Sequence, residues 1–344
     1  MTKSNKKQSN KSGFKPYNVG FLLVFVLSCG LANAQLGFSF LKLPNNAKVN
    51  GLGGMNVSLA GNDINMIGAN PALLDSSDQR QIGISYSPHF ASSHLLNLNY
   101  SPNGRWAIQL QNLNYGNFTG TDVVGNLTDG FSANDFFVGV THARKIQNIS
   151  FGITTKLIGS FLESYNSTAI AFDLGGTFQH PKKDLTFGLV AKNIGFTISN
   201  YSSQKTTLPF DLQAGISFKP QFMPVRFSIT AHHLYEFDIV YFNPNINFEF
   251  DQNGNKIPKK IPFTDKLFRH ITIGTQLLIH KNFNILLGYN HLRRKELHLT
   301  EIGSGAGFCF GFSFIHDRFD FTFSNARYAR SGASVFGLRY KFLK

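Results

Sequence analysis

Gly307-Phe308-Cys309-Phe310-Gly311-Phe312-Ser313-Phe314 alternates residue by residue, setting four phenylalanines against Gly307, Cys309, Gly311 and Ser313. Only an extended chain, whose successive side chains point to opposite faces, keeps those two sets apart; a helix would scatter both around its circumference. The following segment repeats the device, with Phe319, Phe321 and Phe323 against Asp320, Thr322 and Ser324. The last one sets Phe336, Leu338, Tyr340 and Phe342 against Gly337, Arg339 and Lys341. Toward the amino terminus, Ile170, Phe172 and Leu174 oppose Asp173, Gly175 and Thr177, while Trp106, Ile108 and Leu110 oppose Arg105, Gln109 and Gln111. The pattern predicts fourteen strands, at 82–87, 94–100, 105–115, 135–144, 149–162, 168–180, 184–193, 209–218, 225–238, 268–280, 282–291, 306–315, 317–326 and 334–342.

A two-sheet soluble sandwich also alternates, so the connections decide. Those after the even strands (101–104, 145–148, 181–183, 219–224, 281 and 316) are short, whereas several after the odd strands, such as 116–134, 194–208, 239–267 and 292–305, are long. Short turns at one end and long loops at the other mark an outer-membrane barrel, with the short end periplasmic and the long loops extracellular. The glycines of the polar face, among them Gly152, Gly175, Gly215, Gly274 and Gly311, permit close packing or kinks.

Composition agrees. Aromatic residues make up 14% and charged residues only 15% of the 344 residues, against roughly 25% charged in an average soluble domain. Mean hydropathy is nevertheless only -0.10, as strands with one apolar and one polar face require. After the first segment no run of apolar residues is long enough for a transmembrane helix.

Residues 1–34 read as a signal peptide: five lysines, the apolar run Val19 to Leu27, and Ala32-Asn33-Ala34 before Gln35, with cleavage expected between Ala34 and Gln35. Leu27-Ser28-Cys29 loosely resembles a lipoprotein site but fits less well. Cleavage lowers the formal charge from +14 to +9. Outside the cytoplasm that basicity suits anionic lipopolysaccharide better than nucleic acid. Cys309 then remains alone, expected as a small residue inside the barrel.

Residues 35–80 lack the alternation, and short turns or a helix suit them, as a plug-like segment before a barrel at 81–344. Phe40-Leu41-Lys42-Leu43-Pro44, Gly51-Leu52-Gly53-Gly54, Asn62-Asp63 and Asn70-Pro71-Ala72-Leu73-Leu74 occur there in order. That series resembles the amino-terminal region of the PorV/PorQ family, and Phe227-Ser228-Ile229-Thr230-Ala231-His232-His233-Leu234 is similar to its PorQ branch. The resemblance spans essentially the whole mature chain. It implies a FadL-like fourteen-stranded barrel with its amino-terminal region tucked into or under it. It further implies a non-enzymatic component of the type IX secretion system, associated with PorU and PorV. That component holds a PorZ-like surface protein while cargo is joined to anionic lipopolysaccharide. The alternative function is a FadL-like channel for hydrophobic small molecules.

No catalytic residue, cofactor or metal site is assigned. Asn56 occupies the last glycine position of Gly-x-Gly-x-x-Gly, and no βαβ pattern surrounds Gly51-Leu52-Gly53-Gly54. Asp251, Asn253 and Asn255 match calcium-loop positions, but Lys256 and Pro262 fail at the glycine and the bidentate acid. His232 and His233, adjacent in a strand, are expected on opposite faces. The terminal Gly337-x-x-Tyr340-x-Phe342 resembles a barrel-assembly signal, followed by Leu343-Lys344. For partner binding the 239–267 loop is the candidate, with Tyr241, Phe242, Phe248, Phe250 and Phe263 beside lysines; the bland alternative has 239–250 extending two strands above the membrane.

Overall fold

The computed structural model describes residues 35–89, 91–122, 124–201, 206–241, 248–250, 256–258, 260–297, 305–329 and 331–342. Fourteen strands close into one antiparallel barrel. They are β1 (Gln81–Pro88), β2 (His94–Ser101), β3 (Trp106–Thr121), β4 (Leu127–Ile146), β5 (Ile149–Leu162), β6 (Tyr165–Gln179) and β7 (Asp184–Ser199). The second half comprises β8 (Asp211–Lys219), β9 (Val225–Ala231), β10 (Ile271–His280), β11 (Phe283–Asn290), β12 (Phe308–Ile315), β13 (Phe319–Arg327) and β14 (Gly332–Lys341). Closure comes from β14 on β1, where Tyr340 lies opposite Ile82.

The faces divide as the alternation requires. Phe308, Phe310, Phe312 and Phe314 face outward, Phe308 being 54% exposed, while Cys309 and Ser313 are buried inside. Trp106 and Ile108 are likewise outward and Gln109 and Gln111 inward. A closed wall satisfies every backbone polar group, and its outer surface is apolar, so this is an integral membrane barrel of the outer-membrane type. No helix among the described residues is long and apolar enough to cross a membrane.

Several expected boundaries need correction. β3 and β4 run to Thr121 and from Leu127, so the long loop expected at 116–134 is a tall hairpin with its tip at 122–126. β7 continues to Ser199 rather than stopping at 193, because a bulge at Lys192-Asn193 resets the alternation. Strands β3–β7 measure 14 to 20 residues, more than the ~9–11 that cross a bilayer, and stand above it at the long-loop end. β9 ends at Ala231, not 238, and Phe268–His270 belong to a helix and its cap, not to the tenth strand. Arg105 sits exposed in a turn rather than on the inner face.

Inside the barrel lie residues 35–80. Gln35–Leu36 pairs with Thr206–Thr207 at the long-loop end. The chain then descends through a 3-10 turn at Ser39–Lys42, the helix α1 (Ala47–Gly51) and 3-10 turns at Ile64–Gly68, Pro71–Leu73 and Ser76–Asp78. Asn46 opens α1 by accepting from Val49 N at 2.8 Å. Gln81 Nε2 meets the Ser77 carbonyl at 2.8 Å where the segment passes into β1.

Candidate functional site

Three cross-strand pairs of glycines face the lumen: Gly152 with Gly175, Gly188 with Gly215, and Gly274 with Gly288. Each pair is a dent in the wall, and each is filled by the inner segment. A Cβ on Gly152 would come within 2.5 Å of Ala72 N, and one on Gly175 within 3.0 Å of the Pro71 ring. On Gly188 it would lie 2.8 Å from the Val57 carbonyl carbon, and on Gly288 2.5 Å from that of Leu52. The inner backbone thus approaches the wall where side chains are missing, which is why these strands carry glycine despite its poor strand propensity.

The Asn70-Pro71-Ala72 motif has a local explanation. Asn70 Oδ1 accepts from Ala72 N at 3.0 Å, opening the 3-10 turn, and Pro71 occupies a first-turn position that lacks a partner for an N–H. Asn70 Nδ2 donates to the Val57 carbonyl at 2.9 Å, joining two arms of the plug. Gly51-Leu52-Gly53-Gly54 likewise serves docking: Gly53 and Gly54 adopt φ of 102° and 93°, and Asn290 Nδ2 donates to the Gly53 carbonyl at 3.2 Å.

The lumen is less uniformly polar than the sequence suggests. Phe38, Phe40 and Leu41 join inward Leu95, Leu113, Phe137 and Ile158 in an apolar cluster. Burying a side chain such as Phe40 contributes about 1.5–3 kcal/mol. Below it lies a buried ion pair, Lys156–Asp173 at 2.6 Å, which Asn193 completes by accepting from Lys156 at 3.0 Å and donating its N–H to Asp173 at 2.8 Å. Lys192 donates to the Gly68 carbonyl at 2.9 Å. A cavity of about 70 Å³ lies beside Lys42, Lys192, Asp211 and His233. A polar vestibule of about 400 Å³ is flanked by Lys48, Asp63, Arg226, Asp320 and Arg339 near the short turns.

At the opposite end the candidate partner-binding residues are partly brought together. Tyr241 is 74% exposed and Phe263 66% exposed. Phe248 lies in the two-stranded ribbon Phe248–Phe250 with Lys256–Pro258, separate from the wall, so the described residues of 239–250 do not extend the barrel strands. Phe242 lies outside the described residues, as do Asp251, Asn253, Asn255 and Ala34. Phe263 opens the helix α2 (Phe263–Arg269) and stacks on exposed Phe237 with ring centroids 5.3 Å apart. Asp265 ties α2 to the helix α3 (His291–Leu297), reaching Arg269 at 3.0 Å, His291 at 3.1 Å and Lys295 at 2.9 Å. Burial opposes ionisation of Asp265, but hydrogen bonds from Lys295, His291 and Arg269 outweigh it and hold the carboxyl down at about 2. Sequence reading missed this role of Asp265; Asn290, which accepts from Arg293 N at 2.9 Å as the cap of α3, was the available signal.

His232 and His233 do not point to opposite faces. The strand ends before them, His233 takes φ 53°, and their Nδ1 atoms lie 2.7 Å apart. His270 Nδ1 and Nε2 face the carbonyls of His232 and Phe237 at 2.8 and 3.0 Å, clasping this segment to the end of α2. Among the described residues no cluster of three or more His, Cys, Asp or Glu is arranged to hold a metal. At the carboxyl terminus, Gly337 faces inward onto Ala47, and Tyr340 and Phe342 face outward with ring centroids 5.1 Å apart.

No family model and no curated protein sequence matches the chain. Among solved structures it is similar to the CymD monoaromatic hydrocarbon channel, at 12% identity over 90% of this chain and 99% of that one, with a TM-score of 0.49. The Pseudomonas putida toluene transporter TodX gives 12% identity, coverage of 88% and 100%, and 0.49. A Pseudomonas aeruginosa FadL homologue gives 10%, coverage of 87% and 98%, and 0.47. Likeness at this level assigns no ligand to this chain.

Proposed function

We propose that this protein is a non-enzymatic anchor in the outer membrane, holding a soluble partner at the cell surface through its long loops. The setting implied by the PorV/PorQ resemblance is the attachment complex of the type IX secretion system, with a PorZ-like protein as the partner and PorU and PorV nearby. One observation carries the reading: the segment at 35–80 docks into three glycine dents around the wall, filling the lumen with fixed backbone. A filled lumen suits a scaffold better than a conduit, and the platform of α2 and α3 locked by Asp265 offers exposed aromatic anchors such as Phe263. In this reading the long loops are extracellular, as the asymmetry of turns and loops favours.

The test shortens 251–262 to a tight turn in the native host. The expected outcome is a folded, heat-modifiable barrel at normal level with the surface partner released into the medium. Partner and cargo both retained at the surface would refute a role for this loop. Affinity purification of the unaltered protein from outer membranes, with mass spectrometry of what comes with it, separates an anchor from a channel that travels alone.

A further inference from the structure

Among the described residues, the excess of cations over acids is gathered at one end. Each of the six short turns carries a cation within it or within two residues of it: Arg105, Lys145, Lys183, Lys219, Lys281 and Arg318, all exposed except half-buried Lys219. Arg80 and Lys341 add to the ring where the first and last strands meet. Within the same distance of those turns and of Arg80 the acids are Asp184, Asp317, Asp320 and Asp78; Asp320 turns inward onto Arg339 at 2.6 Å, Asp184 pairs with Arg226 at 2.8 Å, and Asp78 is buried. At the long-loop end, by contrast, cations are matched by acids, as in Lys266 with Asp238 and Lys295 with Asp265.

A second observation fixes the depth of this ring. Beside the cations stand outward aromatics: Trp106 next to Arg105, Phe218 next to Lys219, Phe319 next to Arg318 and Tyr340 next to Lys341. Trp106 packs at a tilt against His142, ring centroids 4.3 Å apart, and Phe319 stacks on His316 at 5.0 Å. Aromatic girdles mark the boundary between hydrocarbon and headgroups. Cations one residue beyond the girdle therefore lie at headgroup depth. They also occur at every turn around the circumference instead of on one sector, which matches a surrounding leaflet and not a partner docked at one side.

We infer that the short-turn rim is a docking surface for anionic phospholipid headgroups of the leaflet that surrounds it. With the short turns periplasmic, as the proposed function has them, that leaflet is the inner one. The basicity of the chain then serves phospholipid at the end opposite the loops, and not lipopolysaccharide. Each turn offers one or two cations to a phosphate, and near a membrane surface each is worth about 1 kcal/mol, a preference of about fivefold.

The experiment reconstitutes the mature barrel in phosphatidylcholine vesicles and measures, with spin-labelled lipids, association of phosphatidylglycerol relative to phosphatidylcholine. The expected ratio is about fivefold, falling toward unity near 1 M salt, where the Debye length is about 3 Å. Replacing Arg105, Lys145, Lys183, Lys219, Lys281 and Arg318 by Gln lowers the ratio most of the way to unity, the remainder coming from Arg80, Lys182 and Lys341, while Lys266→Gln with Lys295→Gln at the other end leaves it unchanged. Should the sixfold variant fail to assemble, Lys182→Gln with Lys183→Gln lowers the ratio by a fraction, since one turn of six is lost. A ratio of unity in the wild type, or an undiminished one in the rim variants, overturns the inference. So does a unit ratio accompanied by rim-dependent binding of poly-glutamate to the detergent-solubilised barrel, which assigns the ring to an acidic protein. Both leaflets of such vesicles are alike, so the result does not depend on orientation or on the partner-anchoring role.

Discussion

Filling the glycine dents should unseat the plug while sparing the wall. In Gly288→Val with Gly152→Val, each new Cβ meets plug backbone: 2.5 Å from the Leu52 carbonyl carbon and 2.8 Å from the Gly51 oxygen at one site, 2.5 Å from Ala72 N at the other. Ordinary carbon contacts lie at about 3.5–4.0 Å, so the plug must retreat by about 1 Å at each dent. Overpacking costs about 1–3 kcal/mol, and the upper end applies because the atoms met are backbone on a fixed wall. The two dents belong to different strand pairs and touch different plug segments, so the costs add to about 6 kcal/mol. That lowers the ratio of docked to undocked plug by about 10⁴. Ion conductance across planar bilayers reads the result: the wild type stays closed, and the double variant opens in steps. Gly176→Ala is the control, because its Cβ faces outward with its nearest contact, the Ser150 oxygen, at 4.0 Å. A heat-modifiable double variant conducting no more than the wild type would show that the plug is not held by these dents.

Three further outcomes follow from single features. Lys156→Met leaves Asp173 buried without its partner and should destabilise the barrel by about 3–5 kcal/mol, read as a lower temperature of the heat-modifiable gel shift; Lys156→Met with Asp173→Leu should recover most of it. Asp265 is held below its ordinary 3.8, so its contribution to the α2–α3 platform is full above that pH and fades as pH falls toward about 2. Limited pepsin digestion between pH 4 and 2 should therefore cut α2 and α3 progressively in the wild type while the strands between them stay protected, and Asp265→Asn is cut throughout; equal resistance would refute the role of Asp265. Tyr340→Ala with Phe342→Ala removes two outward aromatics from the closing strand, and outer-membrane levels on immunoblots should fall several-fold. Unchanged levels would count against reading this end as an assembly signal.

What was legible in the sequence was the wall, and what escaped was whatever interrupts its period. Fourteen strands are visible because each alternates between lipid and lumen, and a one-residue error would turn phenylalanine inward and glutamine outward. The same logic hides the bulge in β7. Lys192 and Asn193 both turn toward the lumen, with Asn193 at φ 58°, after which Ile194, Phe196 and Ile198 resume on the outside. Read as strict alternation, the strand stops at 193; read with one extra residue, it continues to Ser199. β3 is cut short at 115 in the same way, by the register shift between Asn114 and Asn117. The platform escaped for a different reason, since α2 and α3 have 7 residues each and take their stability from tertiary contacts through Asp265.

The plug marks the boundary between the two kinds of information. Its turns have local signals, Asn70 before Pro71 and Asn46 before α1, yet nothing local says that it enters the barrel. The signal for that lies in the wall. A lone inward glycine weakens a strand for no gain, but Gly152 with Gly175, Gly188 with Gly215 and Gly274 with Gly288 are cross-strand neighbours, and each pair doubles the width of one dent. Once the turns fix the registers, the pairing of these glycines can be read from sequence alone. Six residues without side chains, gathered two by two on the inner face, then require something of fixed shape to fill the space. Solvent needs no dent and a diffusing substrate would not call for three. Backbone that must lie flat against the wall does, and the segment that directly precedes β1 supplies it.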